Sequence, residues 1–394
     1  MFREKKEIRE VKVAVLGYGT VGVGVYEMLQ AAEGLEAGPV LVRPGKEDQP
    51  FKVSRIEDIT GDPSVDAVAE VMGGVEPAFT YAMAAIRAGK HFVTSNKALV
   101  AAKGTELNRA AREAGVSFLF SAACGGGVPF LHNLARAVQT DEILSVGGIL
   151  NGTTNFMLDQ MQSTGKDYAE ALKEAQALGY AEADPTADVT GLDALRKIML
   201  ACAVAWGVLP QSGLLNEGID SLSAADVKDF MARDYVCRLV ASGQRAADGR
   251  ISAYVEPVLV RAGDAESAVL KNYNMARYEG RNAGPIAMIG QGAGRYPTAS
   301  AVLRDLSGIC VGEAAMFPAD CVDGSADNSS AAHAYYARLP KACAAALPAA
   351  KVLAEDGETL RILTEEISVQ KMHACASALR KDGHPVFFAA VREA

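Results

Sequence analysis

Residues 11–16, VKVAVL, form a short apolar run rich in valine, which reads as a strand. The run stops at Gly17-Tyr18-Gly19-Thr20-Val21-Gly22, and apolar positions then recur at helical spacing through Val25, Met28 and Leu29. Residues 39–43 read as a second strand and 65–71 as another, the latter ending before Gly73 and Gly74. A helix over 79–88 ends at Gly89. A strand at 91–94, a helix over 99–114 and a strand over 116–120 follow. This alternation of strands and helices predicts a parallel, doubly wound sheet.

The pattern changes near Ile149. A strand over 145–150 meets Asn151-Gly152-Thr153-Thr154, and helical stretches follow at 156–162, 168–178 and 192–206. Residues 251–260 and 283–289 read as strands, the second feeding a glycine-rich turn at 290–294. This block predicts an α+β domain inserted after the first. Residues 317–330 are polar and aperiodic, as a linker would be. The tail predicts a strand at 335–339, a helix continuing to 353, a strand at 359–363, a helix at 370–379 and a strand at 386–391. Three domains are expected: 1–148 completed by about 290–314, then 149–289, then 331–394.

Composition narrows the classes. The 394 residues carry a net charge of −9, which disfavours nucleic acid or an anionic membrane as the main partner, since both select basic surfaces. No apolar run reaches the length of a membrane span. The seven cysteines are scattered and form no C-x-x-C pair, which fits free thiols in a reducing cytoplasm. The N-terminal residues 1–10 are charged rather than apolar, so no signal peptide is expected.

The turn at Gly17, Gly19 and Gly22 has the spacing of a dinucleotide-binding loop. There the first glycine makes the tight turn, the second admits the pyrophosphate, and the third lets helix pack on strand. The phosphates would face the helix N-terminus at Thr20 and Val21. Where an acidic residue would hold free ribose hydroxyls, the second strand ends in Arg43 with Lys46 nearby. Two cations suit a 2′-phosphate, so NADP is expected over NAD.

Seven stretches together resemble the homoserine dehydrogenase family over roughly residues 11–312: GYGTVG (17–22), GGVEPA (73–78), GKHFVTSNKALVA (89–101), CGGGVP (124–129), GILNGTTNFML (148–158), AQALGYAEADPTADVTGLDALRK (175–197) and GQGAGRYPTASAV (290–302). The resemblance implies an α/β protein: a Rossmann-like dinucleotide-binding domain, an α+β substrate and dimerisation domain, and a small, degenerate ACT-like module at the C-terminus. It implies NAD(P)-dependent interconversion of L-homoserine and L-aspartate 4-semialdehyde in threonine, methionine and isoleucine biosynthesis, by a homodimer or homotetramer. The segment around Gly292 is implied to return to the first domain near the nicotinamide.

Reducing an aldehyde needs a hydride donor, a proton donor and positive charge near the carbonyl oxygen. Two lysines lie in matching motifs. Asp193 precedes Lys197 by one helical turn, so its carboxylate can orient the ammonium. By resemblance Lys197 is the proton donor and acceptor. Lys97 follows a strand of the first domain and, by resemblance, contacts cofactor and substrate, with Thr94 and Ser95 beside it on the cofactor. The same matching assigns Glu182 and Asp188 to the substrate ammonium and has Gly152, Thr153, Tyr180 and Asp193 line that pocket. Asp184, before Pro185, reads as a turn-former.

Residues 121–128 resemble a loop that binds a monovalent cation such as sodium through backbone carbonyls, here of Ser121, Cys124, Gly126 and Val128; the glutamate usual at its start is Ser121. A nucleophilic Cys124 would signal an acylating semialdehyde dehydrogenase, but its own motif, CGGGVP, holds no histidine to activate it. A non-catalytic dinucleotide sensor would be expected to lose Lys97, Lys197 or Glu182, and all three are present. The tail has no glycine between Arg338 and Glu355, where an effector-binding turn of an ACT domain should fall, so no threonine site is expected.

Overall fold

The computed structural model describes residues 10–392; residues 1–9, most of the charged N-terminal segment, and the last two residues lie outside the described residues. The chain forms two compact units. The first comprises Met1–Thr140, Ala203–Leu209 and Gln291–Asp323; the second Asp141–Cys202, Pro210–Gly290 and Gly324–Ala394.

The first unit holds a six-stranded sheet in which every pairing is parallel. Its order is Lys52–Val53, Leu35–Leu41, Val11–Leu16, Ala67–Glu70, His91–Thr94, Phe118–Leu119. Numbered along the chain this is 3-2-1-4-5-6, the doubly wound order of dinucleotide-binding sheets. Val13, Ala14, Val15 and Leu16 are fully buried, as covering on both faces requires. The order reverses between Val11–Leu16 and Ala67–Glu70. Ligands of such sheets bind beyond the carboxyl ends of strands at this reversal, where Gly17 and Gly73-Gly74 follow. The second strand is Leu35–Leu41 rather than 39–43. Gly38 and Pro39 read as strand breakers but sit in a register irregularity, where pairing jumps from Val13↔Ala37 to Val15↔Val40.

The second unit carries an 11-stranded sheet. From one edge it runs Gly284–Gln291, Tyr273–Gly280, Ile143–Ile149, Tyr235–Arg245, Ile251–Arg261, and it continues into the tail strands Phe387–Val391, Ala332–Pro340, Thr359–Thr364 and Ala349–Asp356. The tail sheet is joined by the parallel pairing Val258↔Ala390 and Leu259↔Val391. Its own pairings are antiparallel, and its four long strands stand in the order fourth, first, third, second. That is the order of a βαββαβ motif, with one change. The helix expected to continue to residue 353 is a short 3-10 stretch, Lys341–Ala346, followed by the strand Ala349–Asp356. Alanine favours helix, but Pro340 and Pro348 confine it, and the strand pairs along Thr359–Thr364. The expected linker region contains a short strand, Val322–Ser325.

Candidate functional site

In the first unit the glycine turn has the geometry that phosphate binding needs. Gly17 sits at φ +103, a conformation unfavourable to side chains. A Cβ on Gly22 would lie 2.0 Å from the Gly17 carbonyl oxygen, so helix Thr20–Leu29 approaches the turn only with glycine there. At Gly19 a Cβ would meet nothing within 4 Å, which leaves that backbone open to a ligand. Arg43 and Lys46 are exposed in the turn after the second strand, where Lys46 N–H donates to the Arg43 carbonyl (3.1 Å).

Glu70 was not read from the sequence, though a glutamate in VDAVAEVM is a visible anomaly. It is fully buried at the carboxyl end of its strand. Its carboxylate accepts from the Thr94 hydroxyl (2.5 Å), the Met72 N–H (2.7 Å) and Asn96 Nδ2 (3.5 Å). Burial pushes its carboxyl above the usual range, against those bonds. Asn96 also donates to the Gly74 carbonyl (2.7 Å), while its Oδ1 caps helix Lys97–Ala114 by accepting from Leu99 N–H (3.1 Å). Glu70 and Asn96 thus tie the loop at 71–74 to the one bearing Thr94, Ser95 and Lys97.

Gly126 and Gly292 belong to loops in close contact: a Cβ on Gly126 would lie 2.5 Å from the Gly292 carbonyl, and Gly127 N–H donates to the Gln291 carbonyl (3.1 Å). In the loop at 121–128 the Ser121 carbonyl accepts from Cys124 N–H (3.3 Å) and the Val128 carbonyl from Phe130 N–H (2.8 Å). Cys124 is fully buried. Behind this loop Asp305 is buried, its Oδ2 accepting from Ser121 N–H (2.8 Å) and its Oδ1 without a hydrogen-bond partner among the described residues. Burial pushes this carboxyl up to about 7. Asp305 lay in no motif that the sequence singled out. Among the described residues no group of three His, Cys, Asp or Glu is placed to hold a metal. A cavity of about 650 Å³ in this unit, lined by His132, Arg136, Glu313 and Phe317 among others, contains none of these residues.

In the second unit one turn organises the polar groups. Strand Ile143–Ile149 ends just before Asn151, which caps helix Gly152–Thr164. Asn151 Oδ1 accepts from Thr154 N–H (2.8 Å), and its Nδ2 donates to Asp188 Oδ1 (2.7 Å) and Asp193 Oδ2 (2.9 Å). Lys197 Nζ donates to that same Asp193 Oδ2 (2.7 Å) and to the Leu150 carbonyl (2.6 Å). Asp193 and Lys197 are 7% and 8% exposed, so their charges are held largely out of water. Thr153 donates to the Tyr180 carbonyl (2.5 Å), and the Tyr180 ring meets Phe156 edge-on at 5.0 Å. Gly152 must be small: a Cβ there would lie 2.6 Å from the Asn272 carbonyl. Asp184 holds the turn at Thr186, as read from the sequence. The structure therefore gathers Asn151, Asp188, Asp193 and Lys197 into one hydrogen-bonded network, with Thr153 and Tyr180 linked to each other. Glu182 is exposed on the loop between, outside the network's hydrogen bonds.

A doubly wound sheet with an open glycine turn, and a second unit with a buried lysine–aspartate pair, define an α/β oxidoreductase with a nicotinamide-dinucleotide-binding domain. Residues 17–121 match the family model for the homoserine dehydrogenase NAD-binding domain and residues 129–307 that for homoserine dehydrogenase. The chain belongs to the homoserine dehydrogenase family. It is 40% identical over 316 residues to a homoserine dehydrogenase from Synechocystis sp., covering 76% of this chain and 73% of that protein. It is also 40% identical over 318 residues to one from Corynebacterium glutamicum, covering 76% and 71%. A crystal structure of a homoserine dehydrogenase from Thiobacillus denitrificans superposes with a TM-score of 0.86 at 30% identity, covering 98% of this chain and 99% of that one.

Proposed function

We propose that this enzyme interconverts L-homoserine and L-aspartate 4-semialdehyde, with Lys197 as proton donor and acceptor. The buried Lys197–Asp193–Asn151 network carries the reading. An ammonium held out of water and aimed by fixed oxygens is a proton donor with little reorganisation left to do. In the reducing direction it hands a proton to the oxygen that gains negative charge as hydride arrives; in the oxidising direction it takes that proton back. Asp188, in the same network, and Glu182 take the substrate ammonium, with Gly152, Thr153 and Tyr180 lining the pocket. Lys97, beside Thr94 and Ser95, adds positive charge on the cofactor side.

A bound dinucleotide would supply hydride chemistry, as donor in the reducing direction and as acceptor in the oxidising one. Gly17, Gly19, Thr20, Val21 and Gly22 would hold its pyrophosphate, and the exposed Arg43 and Lys46 would meet a 2′-phosphate, which favours NADP over NAD. The carbonyls of Ser121, Cys124, Gly126 and Val128 would hold a monovalent cation. A homodimer or larger homo-oligomer fits the exposed Ile286 and Ile289 on the edge strand Gly284–Gln291. The free cysteines fit a cytoplasmic enzyme; among the described residues no helix is long and apolar enough to cross a membrane.

Initial rates of L-homoserine oxidation with NADP and NAD test the reading, with Glu182→Gln and Asp188→Asn beside the wild type. The amide variants should raise KM for homoserine far more than KM for the cofactor. No oxidation of homoserine with either nucleotide, or an unchanged homoserine KM in both variants, contradicts it.

A further inference from the structure

We propose that Asn151 is a positioning residue for proton transfer by Lys197, an assignment that rests on the reading of Lys197 above. The Asn151 side chain is almost fully buried and committed at both ends. Its Oδ1 accepts from the Thr154 N–H (2.8 Å) and hydroxyl (2.9 Å) at the start of helix Gly152–Thr164. Its Nδ2 donates to Asp188 Oδ1 and Asp193 Oδ2. The chemistry leaves one orientation of the amide, because an N–H only donates and an ionised carboxylate only accepts.

Two consequences follow for Lys197. The first is geometric. The ammonium is held by the Leu150 carbonyl on one side and by Asp193 on the other, and Asp193 is held in turn by the side chain of the next residue, Asn151. One turn, locked by its own helix cap, therefore sets both anchors of Nζ. The second is electrostatic. The amide N–H shares the oxygen of Asp193 that faces Lys197, which weakens the hold of that carboxylate on the lysine proton. Without this donor, Asp193 pulls harder and Lys197 keeps its proton to higher pH. The same amide also bridges to Asp188, so it couples the carboxylate proposed for the substrate ammonium to the pair proposed for proton transfer.

Two substitutions separate this role from capping. Serine and aspartate are both good N-caps, so Asn151→Ser and Asn151→Asp keep the helix start. Serine is too short to serve the two carboxylates. Aspartate puts a third carboxylate beside Asp188, Asp193 and Lys197, the titratable groups the amide joins. The rate of homoserine oxidation should fall roughly a hundredfold, the scale of a small misplacement at a reacting centre. The rising limb of its pH profile should move to higher pH, in Asn151→Asp by about one unit or more. Cofactor KM should stay near wild type and the retained cap should keep both variants folded, with the thermal midpoint lowered most in Asn151→Asp by the added buried carboxylate. Lys197→Ala is measured alongside. Wild-type rates and an unmoved limb in both Asn151 variants, with Lys197→Ala inactive, overturn this inference and leave the role of Lys197 standing. Normal turnover by Lys197→Ala removes both. Loss of the folded state in both Asn151 variants, despite the retained cap, makes the residue structural and overturns the assignment as well.

Discussion

Asp193 and Lys197 stand one turn apart on helix Leu192–Trp206, and Asp193 Oδ2 accepts from Lys197 Nζ at 2.7 Å with both residues less than a tenth exposed. Asp193→Asn strips the buried ammonium of its counter-charge. Removing one member of a buried pair typically costs about 3–5 kcal/mol, so the denaturation midpoint should fall accordingly. Chemical denaturation measures it; a loss below about 1 kcal/mol would mean that the pair is effectively solvated.

Asp305 makes stability depend on pH. Burial raises its carboxyl from 3.8 to about 7, so the folded state favours the neutral form. Its contribution is fully present below the unfolded value and is lost as pH rises through about 7. Asp305→Asn, neutral at every pH, should therefore gain on the wild type as pH climbs from about 4 to about 7, by at most ~4 kcal/mol. Melting curves of both proteins at about pH 5 and about pH 8 check this; an equal gap at both values contradicts it.

Arg43 stands exposed beyond the second strand. Arg43→Ala should weaken NADP by on the order of 1–3 kcal/mol and leave NAD alone. Titration with each nucleotide decides, and a wild type that already favours NAD would make Arg43 an obstruction to the phosphate rather than its partner.

Threonine should not inhibit. The tail has the strand order of a βαββαβ motif, but its first helix is reduced to the 3-10 stretch Lys341–Ala346, and residues 339–354 hold no glycine for an effector-binding turn. Without differential affinity there is no coupling. A threonine titration at subsaturating homoserine should be flat; saturable sub-millimolar inhibition, abolished by deleting residues after Ser330, would show a working site.

The first unit was legible because its strands are nearly continuous apolar runs and its turns are glycines, both local signals. The second was legible in part: apolar patterning gave the strand at 251–260, the tail strands at 335–339, 359–363 and 386–391 and the tail helix at 370–379, while other elements escaped. Strand Tyr235–Arg245 escaped because Arg238 interrupts its apolar pattern; the structure buries that arginine by turning its donors onto the carbonyls of Cys237, Glu266 and Ser267. Strand Tyr273–Gly280 is broken likewise by Asn274, Arg277 and Glu279. Helix Arg295–Cys310 escaped because Pro297 reads as a breaker, although it falls in the first turn, where proline is tolerated. At the site, the pairing of Asp193 with Lys197 is a spacing of one turn and could be read directly. The bonds from Asn151 to Asp188 and Asp193 join positions 37 and 42 residues apart, and no local pattern encodes them. Glu70 and Asp305 owe their character to burial, which tertiary packing decides.

The most direct test of the account is turnover by Lys197→Ala in homoserine oxidation, with dinucleotide affinity measured on the same preparation. If Lys197 moves the proton, kcat falls by about two to four orders of magnitude while the cofactor binds as before. Turnover near that of the wild type would contradict the account.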